Sequence, residues 1–308
     1  MRHLLSLQDL TQQELQRILE ISSSLKVELK KGSQDAPLQG HNLALIFEKQ
    51  SLRTRVSFEA GMAQLGGASI FLGQEAGWGK REAMKDFAEV LGEYVDAVAC
   101  RTYAHATVAS LAGFSNVPVI NALTDFCHPC QALADVFTIG EQFGGLDQLA
   151  GRRVAFIGDG NNVSRSLAIA CIKLGMHFTL ACPKRYQFDS LQLKQICQDC
   201  PDMEVIQTDD PQAAVEQADA IYTDVWSSMG QEEQEQQRKQ DFAEFQVNEA
   251  LLEIAPPESI FLHCLPARRG QEVTDAVIDG SRSRVVVQAG NRMHAQKGLL
   301  LWLLQEVN

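Results

Sequence analysis

Short apolar runs alternate with amphipathic segments along the first half of the chain. The runs are predicted as strands near 43–47, 68–72, 95–100 and 117–120. The segments between them have helical spacing, which predicts a parallel sheet covered by helices on both faces. An earlier helix is predicted from Thr11 to Lys31, where Thr11 and Glu14 form a capping box.

The same alternation starts again after Gly144-Gly145, where a helix predicted from His128 to Gly144 ends. Strands are then predicted at 153–157 and near 177–181, 204–207, 219–223 and 259–262, and a last helix at 291–306. The fold is therefore predicted as α/β, with two doubly wound parallel-sheet domains joined by long helices. We expect residues 1–145, completed by a C-terminal helix at 289–308, to form one domain and residues 146–288 the other.

Composition narrows the classes of protein. The chain has 308 residues, of which 45% are hydrophobic, and a formal net charge of −12. It contains no run of eighteen apolar residues, and its first ten residues lack the apolar core of a signal peptide, so a cytoplasmic protein without a membrane span is expected. The negative charge argues against a nucleic-acid partner and means that any anion site depends on local arginines.

The eight cysteines fit a reducing compartment. Cys127/Cys130 and Cys197/Cys200 are two C-x-x-C pairs that could together form a four-thiolate zinc site or hold a redox dithiol. One pair is predicted to open a helix and the other to close one, with no Gly-rich knuckle around either. We therefore expect both pairs to be incidental, with no metal bound. The Gln/Glu-rich tract 231–240 is expected to be a mobile, solvated loop or helix edge.

The most informative stretch is 47–59, where an apolar strand leads into a helix that starts at Ser51. Ser51, Arg53, Thr54 and Arg55 share the helix N-terminus, where free N–H groups and the helix dipole favour an anion. Guanidinium groups add bidentate bonds suited to phosphate oxygens. A solvated basic helix start is the alternative, but the interleaved hydroxyls favour a phosphate site.

Further polar groups follow predicted strands, where open α/β sheets place their sites. They are Arg101, the segment His128–Gln131, Gly158–Asn162, Asp224–Gly230 and His263–Pro266. His128 alone could equally be a helix cap or a core histidine. The Gly158–Asn162 segment lacks the third glycine of a dinucleotide fingerprint, and the next strand ends without a ribose-binding acid, which argues against a nicotinamide cofactor.

These segments, in this order, resemble the aspartate/ornithine carbamoyltransferase family along the whole chain. Ser51-Leu-Arg-Thr-Arg55 is similar to the family's Ser-Thr-Arg-Thr-Arg motif, and His128-Pro-Cys-Gln131 to its His-Pro-x-Gln segment. Arg101 stands where the family keeps another substrate arginine. Asn291-Arg-Met-His294 resembles the final motif, whose arginine contacts carbamoyl phosphate.

Two segments resemble the ornithine branch in particular: Asp224 with Ser228-Met-Gly230, and His263-Cys-Leu-Pro266. The chain departs from the family pattern at three positions. Leu52 replaces a threonine, Gly77 stands in a loop where the ornithine branch often has Gln, and Gly290 replaces a Glu. We expect Leu52 to matter little if only its backbone contributes, Lys80 or Arg81 to be possible substitutes in the loop 74–81, and Gly290 to weaken only a helix start.

The resemblance implies transfer of a carbamoyl group from carbamoyl phosphate to the δ-amine of L-ornithine, as in arginine biosynthesis, by a homotrimer or a multiple of trimers without metal or cofactor. In this interpretation residues 1–145 with 289–308 bind carbamoyl phosphate and 146–288 bind ornithine. The implied carbamoyl-phosphate residues are Ser51, Leu52, Arg53, Thr54, Arg101, His128, Gln131, Cys264, Leu265 and Arg292. The implied ornithine residues are Asn162, Asp224, Ser228 and Met229, and the catalytic ones are Arg101, His128, Asp224 and Cys264.

Alternatives stay open at this point. A sibling carbamoyltransferase would act on putrescine, aspartate or an N-acylated ornithine, and the Ser-Met-Gly segment disfavours the first two. From other classes, the chain could be an oxidoreductase or a catalytically silent ligand-binding paralogue. The general base is also open, since Cys264, deprotonation through Asp224 and capture of an already neutral amine all fit the residues.

Overall fold

A computed structural model describes residues 1–73, 81–227 and 234–306 of the chain. The chain divides into two compact units: unit 1 contains Met1–Ala134 and Gly290–Asn308, and unit 2 contains Asp135–Ala289. Each unit is built on one all-parallel sheet, four-stranded in unit 1 and five-stranded in unit 2. The predicted α/β class with two parallel-sheet domains is therefore confirmed.

Unit 1 has the strand order β2-β1-β3-β4, so the chain turns to the other side of the sheet between β1 and β3. This is the position where open parallel sheets bind ligands, at the carboxyl ends of the strands. The strands are β1 (Asn42–Phe47), β2 (Ala68–Leu72), β3 (Ala97–Arg101) and β4 (Val119–Leu123). The helices between and around them are α1 (Gln12–Lys31), α2 (Leu52–Gln64), α3 (Met84–Gly92), α4 (His105–Phe114) and α5 (Pro129–Gln142), the last of which continues into unit 2.

Unit 2 has the strand order β7-β6-β5-β8-β9, with the corresponding reversal between β5 and β8. Its strands are β5 (Arg153–Ile157), β6 (His177–Ala181), β7 (Val205–Thr208), β8 (Ala220–Thr223) and β9 (Ile260–His263). Its helices are α6 (Asn162–Lys173), α7 (Ser190–Cys197), α8 (Pro211–Val215), α9 (Glu235–Asp241), α10 (Glu249–Ile254) and α11 (Asp275–Ile278). Helix α12 (Val285–Leu301) starts in unit 2, continues into unit 1 and passes into a π-helical turn, Trp302–Glu306.

The central strands of both sheets are buried, as expected for parallel strands covered by helices, whereas the edge strand β2 is partly exposed. Every residue of β3 is buried, as are all residues of β8 and β9. The rings of Phe156 and Tyr222 stack across β5 and β8 with centroids 5.2 Å apart. The predicted capping box of α1 is present: the Thr11 hydroxyl accepts from the Glu14 N–H, and the Glu14 carboxylate accepts from the Thr11 N–H.

The last helix begins earlier in the chain than the sequence predicted. Helix α12 begins at Val285 rather than near Asn291, although three consecutive valines disfavour a helix. The buried side chain of Gln288 is held by hydrogen bonds within unit 2, and packing of this kind overrides the weak local preference. Gly290 therefore lies inside the helix and not at its start, which corrects the expected role of this residue.

Among the described residues, no helix is both long enough and apolar enough to cross a membrane.

Candidate active site

The first polar cluster lies in unit 1, where β1 and β3 end. Ser51 is the N-cap of α2, with extended backbone, and its hydroxyl accepts a hydrogen bond from the Thr54 N–H at 3.3 Å. The capping hydroxyl leaves other N–H groups of the first turn available for a ligand. The predicted strand-to-helix step at Ser51 is thus present.

The Thr54 hydroxyl is the centre of this cluster. It is fully buried and lies 2.6 Å from Nη2 of Arg292, 3.3 Å from Nη1 of Arg101 and 2.8 Å from the Ser51 hydroxyl. Nη1 of Arg292 also donates to Oε1 of Gln131 at 3.1 Å. Five of the predicted carbamoyl-phosphate residues are therefore in one hydrogen-bonded group: Ser51, Thr54, Arg101, Gln131 and Arg292.

His128 immediately precedes α5 and belongs to the same electrostatic environment. Burial, and then the positive charges of Arg292, Arg101 and Lys49, hold the pKa of His128 well below its ordinary value. The pKa of Lys49 is itself lowered, by burial and by Arg101. The imidazole is therefore neutral near pH 7, and the cluster is a strongly cationic pocket suited to a polyanion.

Three further residues of the Ser51 motif, Leu52, Arg53 and Arg55, have different settings on α2. Leu52 is the first residue of α2 and its side chain is 76% exposed, which fits a position where only the backbone could contribute. Arg53 is half-buried, one residue further along α2. Arg55 lies over the ring of Phe71 and pairs with Glu59 at 2.8 Å, so it faces β2.

The second polar cluster lies in unit 2, at the reversal between β5 and β8. Asp224, one residue beyond β8, accepts from Nδ2 of Asn161 at 3.2 Å and from the thiol of Cys264 at 3.0 Å. Asn161 is also the N-cap of α6, since its Oδ1 accepts from the N–H groups of Val163 and Ser164. The cap therefore fixes the amide so that it presents its NH₂ group to Asp224. Asn162, which the sequence predicted, is the first residue of α6.

The segment after β9 is held by a buried histidine. The N–H of Leu265, whose φ is 55°, donates to Nδ1 of His263 at 2.8 Å, and Nε2 of His263 lies 3.2 Å from Oε1 of Glu272. An acceptor at Nδ1 requires the proton to be on Nε2, which donates to the carboxylate. His263 and Glu272 are both essentially unexposed. They thereby set the backbone that carries Cys264 and Leu265.

An arginine braces the neighbouring loops of unit 2. Nη1 of Arg238 donates to Oδ2 of Asp159 at 2.7 Å and to the carbonyl of Trp226 at 2.8 Å. Asp159 follows β5, and burial raises the pKa of its carboxyl group. Arg238 is 5% exposed within α9, so this part of the Gln/Glu-rich tract is not a solvated loop. Of the tract's described residues, 234–240, only Arg238 is buried, while Gln236, Gln237 and Gln240 are exposed on α9, so the expected solvated helix edge is present except at Arg238. Residues 231–233 lie outside the described ranges.

The described residues include potential metal ligands. One group of three potential ligands occurs there, Asp224, His263 and Cys264, with ligand atoms within 4.8 Å of one another. Both nitrogens of His263 and both oxygens of Asp224 already take part in hydrogen bonds within unit 2. The group is thus built as a hydrogen-bond network.

The two C-x-x-C pairs belong to different units. Cys127 and Cys130 are buried in unit 1, where their thiols donate to the carbonyls of Leu5 and Asn121. Cys197 ends α7 in unit 2, and the N–H of Cys200 donates to its carbonyl. Each pair thus has a local structural setting within its own unit.

Some predicted residues lie outside the described ranges. They are Ser228, Met229 and Gly230, and the loop residues 74–80 with Gly77 and Lys80. Their roles stay predictions.

Sequence reasoning missed four residues of these clusters: Lys49, Asn161, His263 and Glu272. Lys49 lies inside the stretch 47–59, and His263 lies inside a segment that was singled out, so both had a local signal. Asn161 could not be told from Asn162 in the sequence, because the two are adjacent and the residue at which α6 begins decides which of them is the N-cap. Glu272 had no signal, since its pairing with His263 depends on the loop that returns to β9.

Comparison with known proteins gives a consistent family. The model of the aspartate/ornithine carbamoyltransferase carbamoyl-phosphate-binding domain matches residues 2–141, and the model of the Asp/Orn-binding domain matches residues 150–303. An ornithine carbamoyltransferase of Anoxybacillus flavithermus is 48% identical over 303 residues, covering 97% of this chain and 96% of that protein.

Solved structures of ornithine carbamoyltransferases are similar to this chain over almost its whole length. The ornithine carbamoyltransferase from Pyrococcus furiosus superposes with a TM-score of 0.95 at 46% identity, covering all of this chain and 98% of that one. An anabolic ornithine carbamoyltransferase from Campylobacter jejuni gives a TM-score of 0.92 at 34% identity, with 99% of this chain and 100% of that chain covered.

Proposed function

The chain belongs to the aspartate/ornithine carbamoyltransferase family, and on this premise we propose that it is an ornithine carbamoyltransferase. It transfers the carbamoyl group of carbamoyl phosphate to the δ-amine of L-ornithine, giving L-citrulline and phosphate. The observation that carries the proposal is the convergence of Arg101 and Arg292 on the buried Thr54 hydroxyl at the start of α2. The relatives that carry the word anabolic in their names favour the citrulline-forming direction.

Carbamoyl phosphate is assigned to the cluster of unit 1. The N–H groups at the start of α2, the hydroxyls of Ser51 and Thr54, and the two buried guanidinium groups bind the phosphate. Arg53 and the backbone of Leu52 extend the same anion site from the first turn of α2. These donors stabilise a phosphate that gains charge as it leaves, which lowers the barrier of the transfer step.

The carbonyl oxygen of the carbamoyl group becomes an oxyanion during attack by the amine. His128, Gln131 and Arg101 are proposed to donate to it. A neutral imidazole suits this role, because its single N–H donates a hydrogen bond and does not ionise at neutral pH. The lowered pKa of His128 supports the assignment.

Ornithine is assigned to the cluster of unit 2. Asp224 accepts hydrogen bonds from its amino groups, with Asn162, Ser228 and Met229 holding the amino-acid end. Cys264 and the Leu265 carbonyl lie beside the δ-amine. Asn161, His263 and Glu272 hold this cluster in place without touching substrate.

The δ-amine must be neutral to attack. A lysine-like pKa of about 10.4 makes the neutral form cost roughly 4 kcal/mol at neutral pH. Desolvation and the fixed placement of the two reactants offset this cost. The carboxylate of Asp224 is the group proposed to take the proton, and the Cys264 thiol, which donates to Oδ1 of Asp224 at 3.0 Å, holds that carboxylate in place.

Activity assays with several amines test the function. Carbamoyl phosphate is supplied with ornithine, putrescine, aspartate or N-acetylornithine in parallel, and the carbamoylated product and phosphate are measured. Ornithine is expected to give citrulline and phosphate in equal amounts, at a rate far above the other three amines. Faster carbamoylation of another amine would assign the chain to a sibling activity, and no product with any amine would refute a transferase.

We also propose that copies of the chain associate as a trimer or a multiple of trimers. The support in unit 1 is an exposed apolar surface on α2 and the edge strand β2: Leu52 is 76% exposed, Val56 50% and Ile70 44%. Large apolar side chains grouped on a helix and a sheet edge are typical of an interface. Light scattering should give a mass that is a multiple of three chains, and Val56→Glu with Ile70→Glu should lower it. A monomeric wild-type protein would contradict the proposal.

A cytoplasmic location is proposed as well. The eight cysteines all lie in the described ranges and none of them forms a disulfide, as expected in a reducing compartment. The net charge of −12 supports small-molecule substrates rather than nucleic acid as partners. Cell fractionation with an antibody against the chain tests the location, and recovery from a membrane or secreted fraction would refute it.

A further inference from the structure

Unit 2 contains a buried polar network that the proposed site does not use. Asp135 of α5, Tyr222 of β8 and Gln288 of α12 are all 0% exposed. Buried polar groups must have partners, so the cost of this network is offset only if it is fully satisfied.

The donors and acceptors of the network allow one arrangement. Nε2 of Gln288 donates to Oδ1 of Asp135 at 2.6 Å and to the Tyr222 hydroxyl at 3.2 Å. Burial, together with Asp135, raises the pKa of Tyr222 well above its ordinary value, so the hydroxyl keeps its proton and donates it to Asp135. A carboxylate can only accept, and this fixes which side of the Gln288 amide faces it. Oε1 of Gln288 is thereby turned the other way.

Oε1 of Gln288 contacts the end of β9. It accepts from the backbone N–H of His263 at 2.9 Å. His263 directly precedes Cys264, and Tyr222 stands two residues before Asp224, so Gln288 bridges the two strands that carry this thiol and carboxylate. Cys264 and Asp224 lie 3.0 Å apart. β8 and β9 are also paired along their length, with Thr223 opposite His263, so Gln288 adds a side-chain tie just before the strand ends from which the carboxylate and the thiol project.

We propose that Asp135 is a positioning residue of the ornithine cluster, acting through Gln288 on the strand ends that carry Asp224 and Cys264. The inference rests on the proposed assignment of these two residues to ornithine. Asp135 itself touches no substrate. Its carboxylate orients the Gln288 amide, and the amide holds the His263 N–H and the Tyr222 hydroxyl, which lie one and two residues before the thiol and the carboxylate.

The first test is Asp135→Asn, which keeps the size of the side chain and removes one acceptor. The neutral amide weakens the hydrogen bond from Gln288 and, because it can donate as well as accept, no longer fixes which side of the Gln288 amide faces it. The kcat/KM for ornithine should fall about tenfold or more, as expected for a lost buried hydrogen bond to a charged group, while the Kd for carbamoyl phosphate stays the same. A merely structural role would lower the Tm and leave the kinetics of the folded protein unchanged.

The second test exchanges the roles of the partners. In Asp135→Asn with Gln288→Glu, the asparagine can donate to the glutamate, which can still accept from the His263 N–H. This double variant should recover most of the lost kcat/KM. Recovery also keeps the proposal testable if Asp135→Asn alone folds poorly.

A control hydrogen bond joins α5 to the residue that precedes α12. Oε1 of Gln142 on α5 accepts from Nε of Arg284, just before α12, at 2.5 Å, without contact to His263. Gln142→Ala should lower the Tm and leave the kcat/KM for ornithine within about twofold, as is usual for a change remote from the reacting groups.

Three results would overturn the proposal: unchanged kinetics in folded Asp135→Asn, an equal kinetic loss in Gln142→Ala, or no recovery in a folded double variant. A loss of carbamoyl-phosphate affinity in Asp135→Asn would also contradict a role confined to the ornithine cluster. Failure of the proposed function is distinct, since the wild-type protein would then form no citrulline at all.

Discussion

Thr54 shows how one hydroxyl can organise the charges of unit 1. The two guanidinium groups of Arg101 and Arg292 would repel each other, yet both lie within 3.3 Å of its oxygen. A hydroxyl oxygen offers two lone pairs, so it can accept hydrogen bonds from both arginines. The Ser51 hydroxyl lies 2.8 Å from the same oxygen. The arginines are thus held in position before an anion arrives.

Replacing this hydroxyl tests its importance. Thr54→Val keeps the shape of the side chain and removes the acceptor. Charged hydrogen bonds are worth about 1.5–3 kcal/mol, so affinity for carbamoyl phosphate should fall roughly ten- to a hundredfold. Calorimetric titration of the folded variant measures this, with Thr54→Ser as the control that keeps the oxygen. Wild-type affinity in Thr54→Val would remove Thr54 from the site.

His128 gives a prediction about pH. Its folded pKa lies below the unfolded value of 6.5, so between these values the unfolded chain binds more protons. Stability without ligand should therefore fall as pH drops below 6.5, with a contribution of at most about 1.4 kcal/mol per pH unit from this residue. In His128→Gln the fall should be smaller. Urea midpoints at pH 7.5 and 5.5, in buffer without phosphate, check it, and equal falls in both proteins would show that His128 does not titrate this way.

At the scale of elements, α12 is the helix that sequence patterns describe least well. It starts with three valines and contains Gly290 in its interior, both unfavourable for a helix. What stabilises it is packing and polar contact: Gln288 bonds within unit 2, and Arg292 bonds to Gln131 and Thr54 within unit 1.

Two glycines of α12 give opposite predictions. A Cβ added at Gly290 would meet no heavy atom within 4 Å, so Gly290→Ala should raise the free energy of unfolding by about 0.5–1 kcal/mol. A Cβ at Gly298 would lie 2.6 Å from the carbonyl of Ile18, so Gly298→Ala should destabilise the protein. Urea denaturation measures both, and a destabilised Gly290→Ala would mean that the glycine has another role.

The brace between α9 and the loop after β5 gives a second prediction for elements. Arg238→Met leaves the Asp159 carboxylate buried without its guanidinium partner, which should cost roughly 3–5 kcal/mol of stability. Asp159→Asn in the same chain removes that charge, so the double variant should lose less than the sum of the single losses. Strict additivity of the three urea-derived free energies would show that the two residues are not coupled.

For the whole molecule, the sequence was enough for the class of fold and for most strand ends, because buried parallel strands are short apolar runs bounded by polar residues. It also located Ser51, Arg101, His128 and Asp224, since these residues end or directly follow strands or stand just before helices. Contacts between residues distant in the chain were not predictable. Three such contacts depend on how loops and helices return to the sheet, which no local sequence pattern predicts. They are Glu272 with His263, Arg238 with Asp159, and Asp135 with Gln288.

The central claim is that the two units bind different substrates, carbamoyl phosphate in unit 1 and ornithine in unit 2. The most direct measurement is calorimetric binding of carbamoyl phosphate to the wild-type protein, Arg292→Gln and Asp224→Asn. Arg292→Gln should bind at least about tenfold more weakly, because it loses a buried charged donor, whereas Asp224→Asn should bind like the wild type. Equal weakening in both variants, or an unchanged Kd in Arg292→Gln, would contradict this division of the site.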